Sequence, residues 1–187
     1  MQTPDAPHWL IQEPFTSYAE YLRRKGGSAL TKARATPPEE VLSEIERSGL
    51  RGRGGAGFPA GAKWRTTMRH ECPTRFVVCN AAEGEPGTFK DRYLLRRDPY
   101  SMLEGLLIAA HVVGAETAHV AMKASFAPEL LRLRAALVEM RAAGALGDVQ
   151  IEVTEGPEEY LFGEERALLE VIEGNDPLPR EPHYPPY

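Results

Sequence analysis

The chain has 187 residues, 42% of them hydrophobic and 26% charged, and a formal net charge of −5. That size and balance suit one globular domain with a real core, and the acidic balance argues against a nucleic-acid surface. The longest apolar run, residues 106–113, is far too short to span a bilayer, and the first ten residues lack the basic-then-apolar pattern of a secretory signal.

Residues 1–14 are proline-rich and irregular. Phe15, Tyr18, Tyr21 and Leu22 predict a short helix over residues 15–25, stopped by Gly26 and Gly27. Thr36, Pro37, Glu39 and Glu40 predict the next helix, with Thr36 as N-cap and Pro37 at its first position. Val41, Leu42, Ile45 and Leu50 form its apolar stripe, and Gly49 its C-cap. A glycine-rich stretch, residues 48–64, follows at once. Residues 75–79 predict a short buried strand, residues 80–87 an acidic turn, and residues 89–98 a helix. Pro99 opens another helix through Met102, Leu103, Leu106, Leu107 and Ala110, ending near Gly114. Residues 117–122 predict a second strand. Pro128 starts a helix through Leu130, Leu131, Leu133, Leu137 and Met140, closed by Gly144. Residues 149–153 predict a third strand, residues 160–173 a last helix introduced by the Gly163 turn, and residues 175–187 an extended, proline-rich tail.

Strand and helix alternate, which implies an α/β, Rossmann-like three-layer domain with a short parallel sheet and crossover helices. An N-terminal helical extension over residues 1–48 precedes it, and residues 49–187 form the ligand-binding domain. Such sheets bind ligands at the carboxyl ends of their strands. The acidic turn after Cys79, the turn over residues 156–165 and the glycine stretch converge on that rim.

In the glycine stretch, successive N–H groups can curl into an anion-binding concavity. Arg51, Arg53 and Lys63 add positive charge, so a phosphate-bearing ligand is the natural occupant; a flexible loop with no ligand is the plainer alternative. Gly52, Gly54 and Gly57 satisfy G-x-G-x-x-G, but that fingerprint needs a strand before it. A helix is predicted there, so the standard dinucleotide explanation is rejected. In the acidic turn, Asn80 offers donor and acceptor, which suits a flavin's imide edge or a ribityl hydroxyl. Glu83 and Glu85 can accept from ribose hydroxyls, and a solvated polar turn is the alternative. Glu164 and Glu165, at a helix N-terminus, suit the helix dipole alone. Cys72 and Cys79 match no C-x-x-C spacing and read as free thiols rather than a disulfide. They cannot form a four-cysteine cluster, and the five histidines form no metal motif, so no metal ligand is assigned.

Three stretches occur in order: residues 48–59 (Ser-Gly-Leu-Arg-Gly-Arg-Gly-Gly-Ala-Gly-Phe-Pro) with Gly61, Lys63 and Trp64; residues 80–87 with Lys90, Asp91 and Arg92; and Tyr160 with Gly163, Glu164, Glu165, Ala167 and Leu168. Together they resemble the NADH-oxidising, FMN-binding flavoprotein subunit of respiratory complex I and its relatives in NAD-linked formate dehydrogenases and hydrogenases. The resemblance implies FMN held by Gly52, Arg53, Gly54, Gly55, Gly57, Lys63, Asn80, Glu83, Tyr160, Gly163, Glu164 and Glu165. It implies NADH held over the flavin by Phe58, Lys63, Glu85 and Glu165. A hydride passes from nicotinamide to flavin, so no side chain need act as acid or base, and electrons leave to iron–sulfur subunits or domains. The resemblance implies a cytoplasmic protein, peripheral to the inner membrane through its partners, with no nucleic acid and no direct membrane insertion. Three positions depart from the family pattern: Ala82 stands where aspartate is usual, Thr66 where an aromatic is, and Phe162 where cysteine is. The family's downstream flavin-phosphate segment, ubiquitin-like domain and cysteine-rich cluster domain have no counterpart in these residues, so the chain reads as a fragment or a stand-alone short form. The alternatives are a related flavoprotein serving ferredoxin, a formate dehydrogenase or a hydrogenase, and a non-catalytic nucleotide-binding or assembly module.

Overall fold

A computed structural model describes residues 13–24, 26–54 and 56–180. Four helices come first: α1 (Tyr18–Arg23), α2 (Ser28–Arg34), α3 (Pro38–Ser48) and α4 (Ala60–Arg69). Then β1 (Phe76–Asn80) leads through α5 (Lys90–Arg97) and α6 (Pro99–Val113) to β2 (Thr117–Lys123). From there α7 (Ala127–Ala142) leads to β3 (Gln150–Gly156). A 3-10 turn (Tyr160–Gly163) and α8 (Glu165–Ile172) complete the described elements.

The three strands form one parallel sheet in the order β1-β2-β3. Asn80 pairs with Ala121 at the carboxyl end, and Lys123 with Gly156. Alternation along β2 decides what each face buries. Ala118, Val120 and Met122 join the main core with Leu103, Leu107, Leu133 and Met140 of α6 and α7. Ala121, on the other face, packs with Phe162 and Leu168 of the 3-10 turn and α8. The α/β three-layer expectation holds.

The N-terminal helices share this core. Phe15, Tyr18, Tyr21 and Leu30 lie in the main cluster, while Ala33, Val41 and Leu42 pack with Ala110, Val112 and Val113 of α6. The first helix is shorter than expected, because the Ser17 hydroxyl caps it by accepting from the Glu20 N–H at 3.2 Å. Lys25, its expected end, lies outside the described residues.

Helix α2 was not expected. It starts after Gly27 (φ +77°) with no local side-chain cap. The cap comes from α6: the buried Glu104 carboxylate accepts from the Gly27 N–H at 2.9 Å, the Leu30 N–H at 2.7 Å and the Tyr21 hydroxyl. Thr36 is not the N-cap of α3. Its hydroxyl donates to the Lys32 carbonyl at 2.8 Å and so closes α2, leaving Pro37 at the cap and Pro38 inside the helix.

Four further expectations are corrected. β1 is a half-buried edge strand, with Phe76 55% exposed, rather than a buried one. Leu50 falls in the loop and is exposed. Leu131 is 70% exposed, because the row formed by Leu130, Leu133, Leu137 and Met140 already fills the inward side of α7. The single helix expected over residues 160–173 divides into the 3-10 turn and α8. Of the tail, residues 175–180 have no regular structure, and the rest lies outside the described residues.

Glu104 yields a stability prediction. Glu104→Ala strands two buried donors and one half-buried one, each buried donor costing ~1–3 kcal/mol. Urea unfolding should show a loss of about 3 kcal/mol or more, with Glu104→Gln less damaging; a loss under about 1 kcal/mol would show that α2 needs no distant cap.

Candidate flavin and nucleotide site

The glycine loop runs from the end of α3 to the start of α4. Gly49 ends α3 in the left-handed region (φ +66°), which favours glycine. The neck is pinched by two backbone bonds of 2.9 Å, Gly52 N–H to Phe58 carbonyl and Ala60 N–H to Leu50 carbonyl. The Arg51 guanidinium spans the inside, donating to the Gly57 carbonyl at 3.0 Å. A helix precedes the loop, as the rejection of the dinucleotide fingerprint required. Gly54 leaves open space where a Cβ would stand, so its backbone is open to a ligand. Arg53 and Phe58 are exposed on the same loop, and Gly55 lies outside the described residues.

Gly61 serves packing instead. A Cβ there would stand 2.5 Å from Glu46 Cγ and 3.1 Å from its backbone, so glycine lets α4 press against α3. Arg65 locks the pair, reaching Glu46 at 2.6 Å and Glu39 at 3.2 Å. Lys63 is thereby fixed in the first turn of α4, and its ammonium pairs with the Glu165 carboxylate at the start of α8.

At the end of β1, Asn80 Nδ2 donates to the Gly163 carbonyl at 2.8 Å, and its Oδ1 accepts from the Ala82 N–H at 3.2 Å. The next acid turns inward. The Glu83 side chain is 1% exposed and accepts from the Asp91 N–H and the Arg92 guanidinium, both at 3.0 Å. Burial opposes its charge, but these bonds together outweigh burial and hold its pKa below the ordinary value. Glu85 stays exposed and accepts from the Tyr160 hydroxyl, which raises the pKa of that tyrosine. Glu164 caps α8, accepting from the Arg166 N–H at 2.9 Å and the Ala167 N–H at 3.0 Å. Gly163 leaves open space at its Cβ position.

The fold therefore brings Lys63, Asn80, Glu83, Glu85, Tyr160, Gly163, Glu164 and Glu165 to one rim. Glu83 and Glu164 spend their carboxylates on helix ends. Lys63, Glu85, Tyr160 and Glu165 keep partly exposed groups that can exchange partners for a ligand. Lys123, buried at the carboxyl end of β2, was missed. The strand was expected to stop at Met122, and the available signal was a lysine closing an otherwise apolar run. Among the described residues no group of three or more His, Cys, Asp or Glu is placed to hold a metal ion, and no helix is long and apolar enough to cross a membrane. Both cysteines are free, and burial raises the Cys79 thiol to about 11.

The model of the Nuo51 FMN-binding domain matches residues 45–186. The chain belongs to that family. It is 42% identical over 178 residues to an NADH-quinone oxidoreductase subunit of Aquifex aeolicus, covering 90% of this chain and 42% of that protein. The like-named protein of Mycobacterium bovis is 39% identical over 193 residues, covering 95% of this chain and 43% of the relative. The chain thus spans about two fifths of these curated relatives. Among solved structures, an NAD+-reducing [NiFe]-hydrogenase in the air-oxidized state superposes with a TM-score of 0.78 at 36% identity, covering 92% of this chain and 30% of the other.

Ala82 and Phe162 are both fully buried in one apolar cluster with Ala121 and Leu168. Phe162 also lies so close to Gly156 that a Cβ there would stand 2.2 Å from its ring.

The Glu83 carboxylate sets an acid-stability prediction. A carboxyl with a lowered folded pKa contributes stability above its unfolded value and loses it as pH falls through the folded one. Between about pH 5 and pH 3 the parent's melting temperature should therefore fall more steeply than that of Glu83→Gln. Parallel curves for the two would show that Glu83 does not carry this linkage.

Proposed function

We propose that this chain is the FMN- and NADH-binding part of an NADH-oxidising flavoprotein. The observation that carries the reading is the rim itself, where Asn80 joins the acidic turn to Gly163 and Lys63 reaches Glu165. The donor set suits the group. Gly54 and Gly163 leave backbone open, Lys63 supplies a cation at the loop's exit, and the Asn80 amide lies at the end of β1. Bound FMN supplies a ring that takes a hydride from a reduced nicotinamide, so the chain's work is binding and orientation.

The roles divide along the rim. Gly52, Arg53, Gly54, Gly55, Gly57 and Lys63 would hold the flavin from the glycine loop and the turn after it; Asn80, Glu83, Tyr160, Gly163, Glu164 and Glu165 would shape its other side. Phe58, Glu85 and Glu165, with Lys63, would hold the nucleotide. Curated relatives are named as quinone oxidoreductase subunits and structural relatives as NAD+-reducing hydrogenases. Both readings need an electron-transfer partner to receive what the flavin takes up, and we propose an iron–sulfur subunit or domain in that place.

FMN titration with fluorescence quenching tests the reading. Lys63→Ala should weaken FMN about tenfold to a hundredfold, the range for a hydrogen bond to a charged group. Absence of quenching in a cooperatively folded parent would favour a non-catalytic assembly module, and parent-like binding by Lys63→Ala would remove that lysine from the site.

Nucleotide choice provides a second test. A carboxylate accepting from ribose hydroxyls gains a charge-assisted bond with NADH and meets further negative charge in NADPH. At an effective dielectric near 20, unit charges about 4 Å apart repel by roughly 4 kcal/mol, and a third of that is nearly tenfold. NADH should reduce the flavin about tenfold more effectively than NADPH, and Glu85→Gln should narrow the gap. Equal rates in the parent would overturn the carboxylate argument; a preference unchanged in the variant would move it to another residue.

A further inference from the structure

Lys123 ends the central strand of the sheet and is only 9% exposed. Strands in parallel sheets are buried on both faces and read as apolar runs, and Ala118, Val120, Ala121 and Met122 conform. Desolvating an ammonium is costly unless the group is put to use. No carboxylate forms an ion pair with it among the described residues. Its Nζ donates to the Glu158 carbonyl at 3.0 Å. The same segment is fastened twice more to the end of β2. The Ala124 N–H donates to the Gly156 carbonyl at 2.9 Å, and the Ser125 N–H to Glu158 Oε1 at 3.2 Å.

The ammonium also lies against the acidic turn. A Cβ on Gly84 would stand 3.9 Å from Lys123 Nζ and 3.5 Å from the ring of Tyr160. Lys123 therefore sits where the segment leading to Tyr160 meets the turn carrying Glu85. The Tyr160 hydroxyl donates to Glu85 across that meeting point.

We propose that Lys123 is a positioning residue for the nucleotide half of the crevice. By holding the Glu158 carbonyl and packing on Gly84, it keeps Tyr160 against Glu85, and so holds Glu85 where it accepts ribose hydroxyls. The inference rests on the functional reading given above. Tyr160 borders both halves, but the flavin is tied chiefly by the glycine loop and by Asn80 to Gly163, so an effect on KM for NADH separates experimentally from one on FMN affinity.

Lys123→Met keeps the apolar stem and removes donor and charge; Lys123→Arg keeps both. In the FMN-loaded chain, Lys123→Met should raise the KM for NADH about tenfold, the loss of one hydrogen bond to a charged group. Its kcat and FMN affinity should stay within about twofold, and Lys123→Arg should recover most of the KM. In a Tyr160→Phe background the same substitution should change KM little, because its effect runs through the tyrosine hydroxyl. In the ligand-free chain, amides over residues 158–163 should exchange about tenfold faster in Lys123→Met, while those of α5 stay unchanged. Parent-like exchange and KM would overturn the proposal, as would an undiminished KM effect in the Tyr160→Phe background. Loss of FMN binding together with loss of cooperative unfolding would also overturn it, by making Lys123 a fold residue. If the parent takes up neither FMN nor NADH, the functional reading fails, and exchange alone then decides whether Lys123 tethers the turn.

Discussion

One side-chain amide holds the rim in register. Asn80 donates to Gly163 and accepts from Ala82, so a single group fixes the path of the chain leaving β1 and joins it to a turn 83 residues away. Aspartate could not donate there, and an apolar residue could do neither. The bridge can be short because parallel strands deliver their carboxyl ends to one edge. Everything assigned to a ligand hangs from that edge: the acidic turn directly, the 3-10 turn through Gly163, and the glycine loop through Lys63 and its partner on α8.

The acids of the rim fall into two physical classes. Glu83 is buried, and Glu83 and Glu164 both accept backbone N–H groups at helix starts, where the dipole favours negative charge. They shape backbone and are expensive to disturb. Among the described residues, Glu165, with a side chain 46% exposed, and Glu85 are each held by one side-chain partner near solvent. Pairs of that kind contribute little net stability, so exchanging a protein partner for a ligand costs little. The motif residues are therefore not equivalent: half of them build the frame and half stay available.

Much of this architecture is legible in the sequence, for local reasons. The three strands, α5, α6 and α7 follow from apolar periodicity, from prolines at helix starts and from glycines such as Gly114 and Gly144 near helix ends. What is hidden is set at long range. Helix α2 owes its start to Glu104, 74 or more residues away. Helix α4 opens with Ala-Gly-Ala, which reads as more of the glycine loop until Gly61 is seen against Glu46. The boundary at Glu164 depends on its carboxylate capping α8, which leaves the preceding residues to tighten around Phe162. The motifs disclose the types of the site residues but not their partners, because the tie between Lys63 and Glu165 is tertiary.

Sheet order and chain order coincide, β1-β2-β3. Each strand can therefore dock on one already made as the polypeptide leaves the ribosome. The rim is different. Lys63 waits for a carboxylate 102 residues downstream, and the acidic turn for a glycine 83 residues on. Contacts of such separation carry the larger loop-closure cost and form late. The ligand-binding edge thus matures after the sheet that supports it.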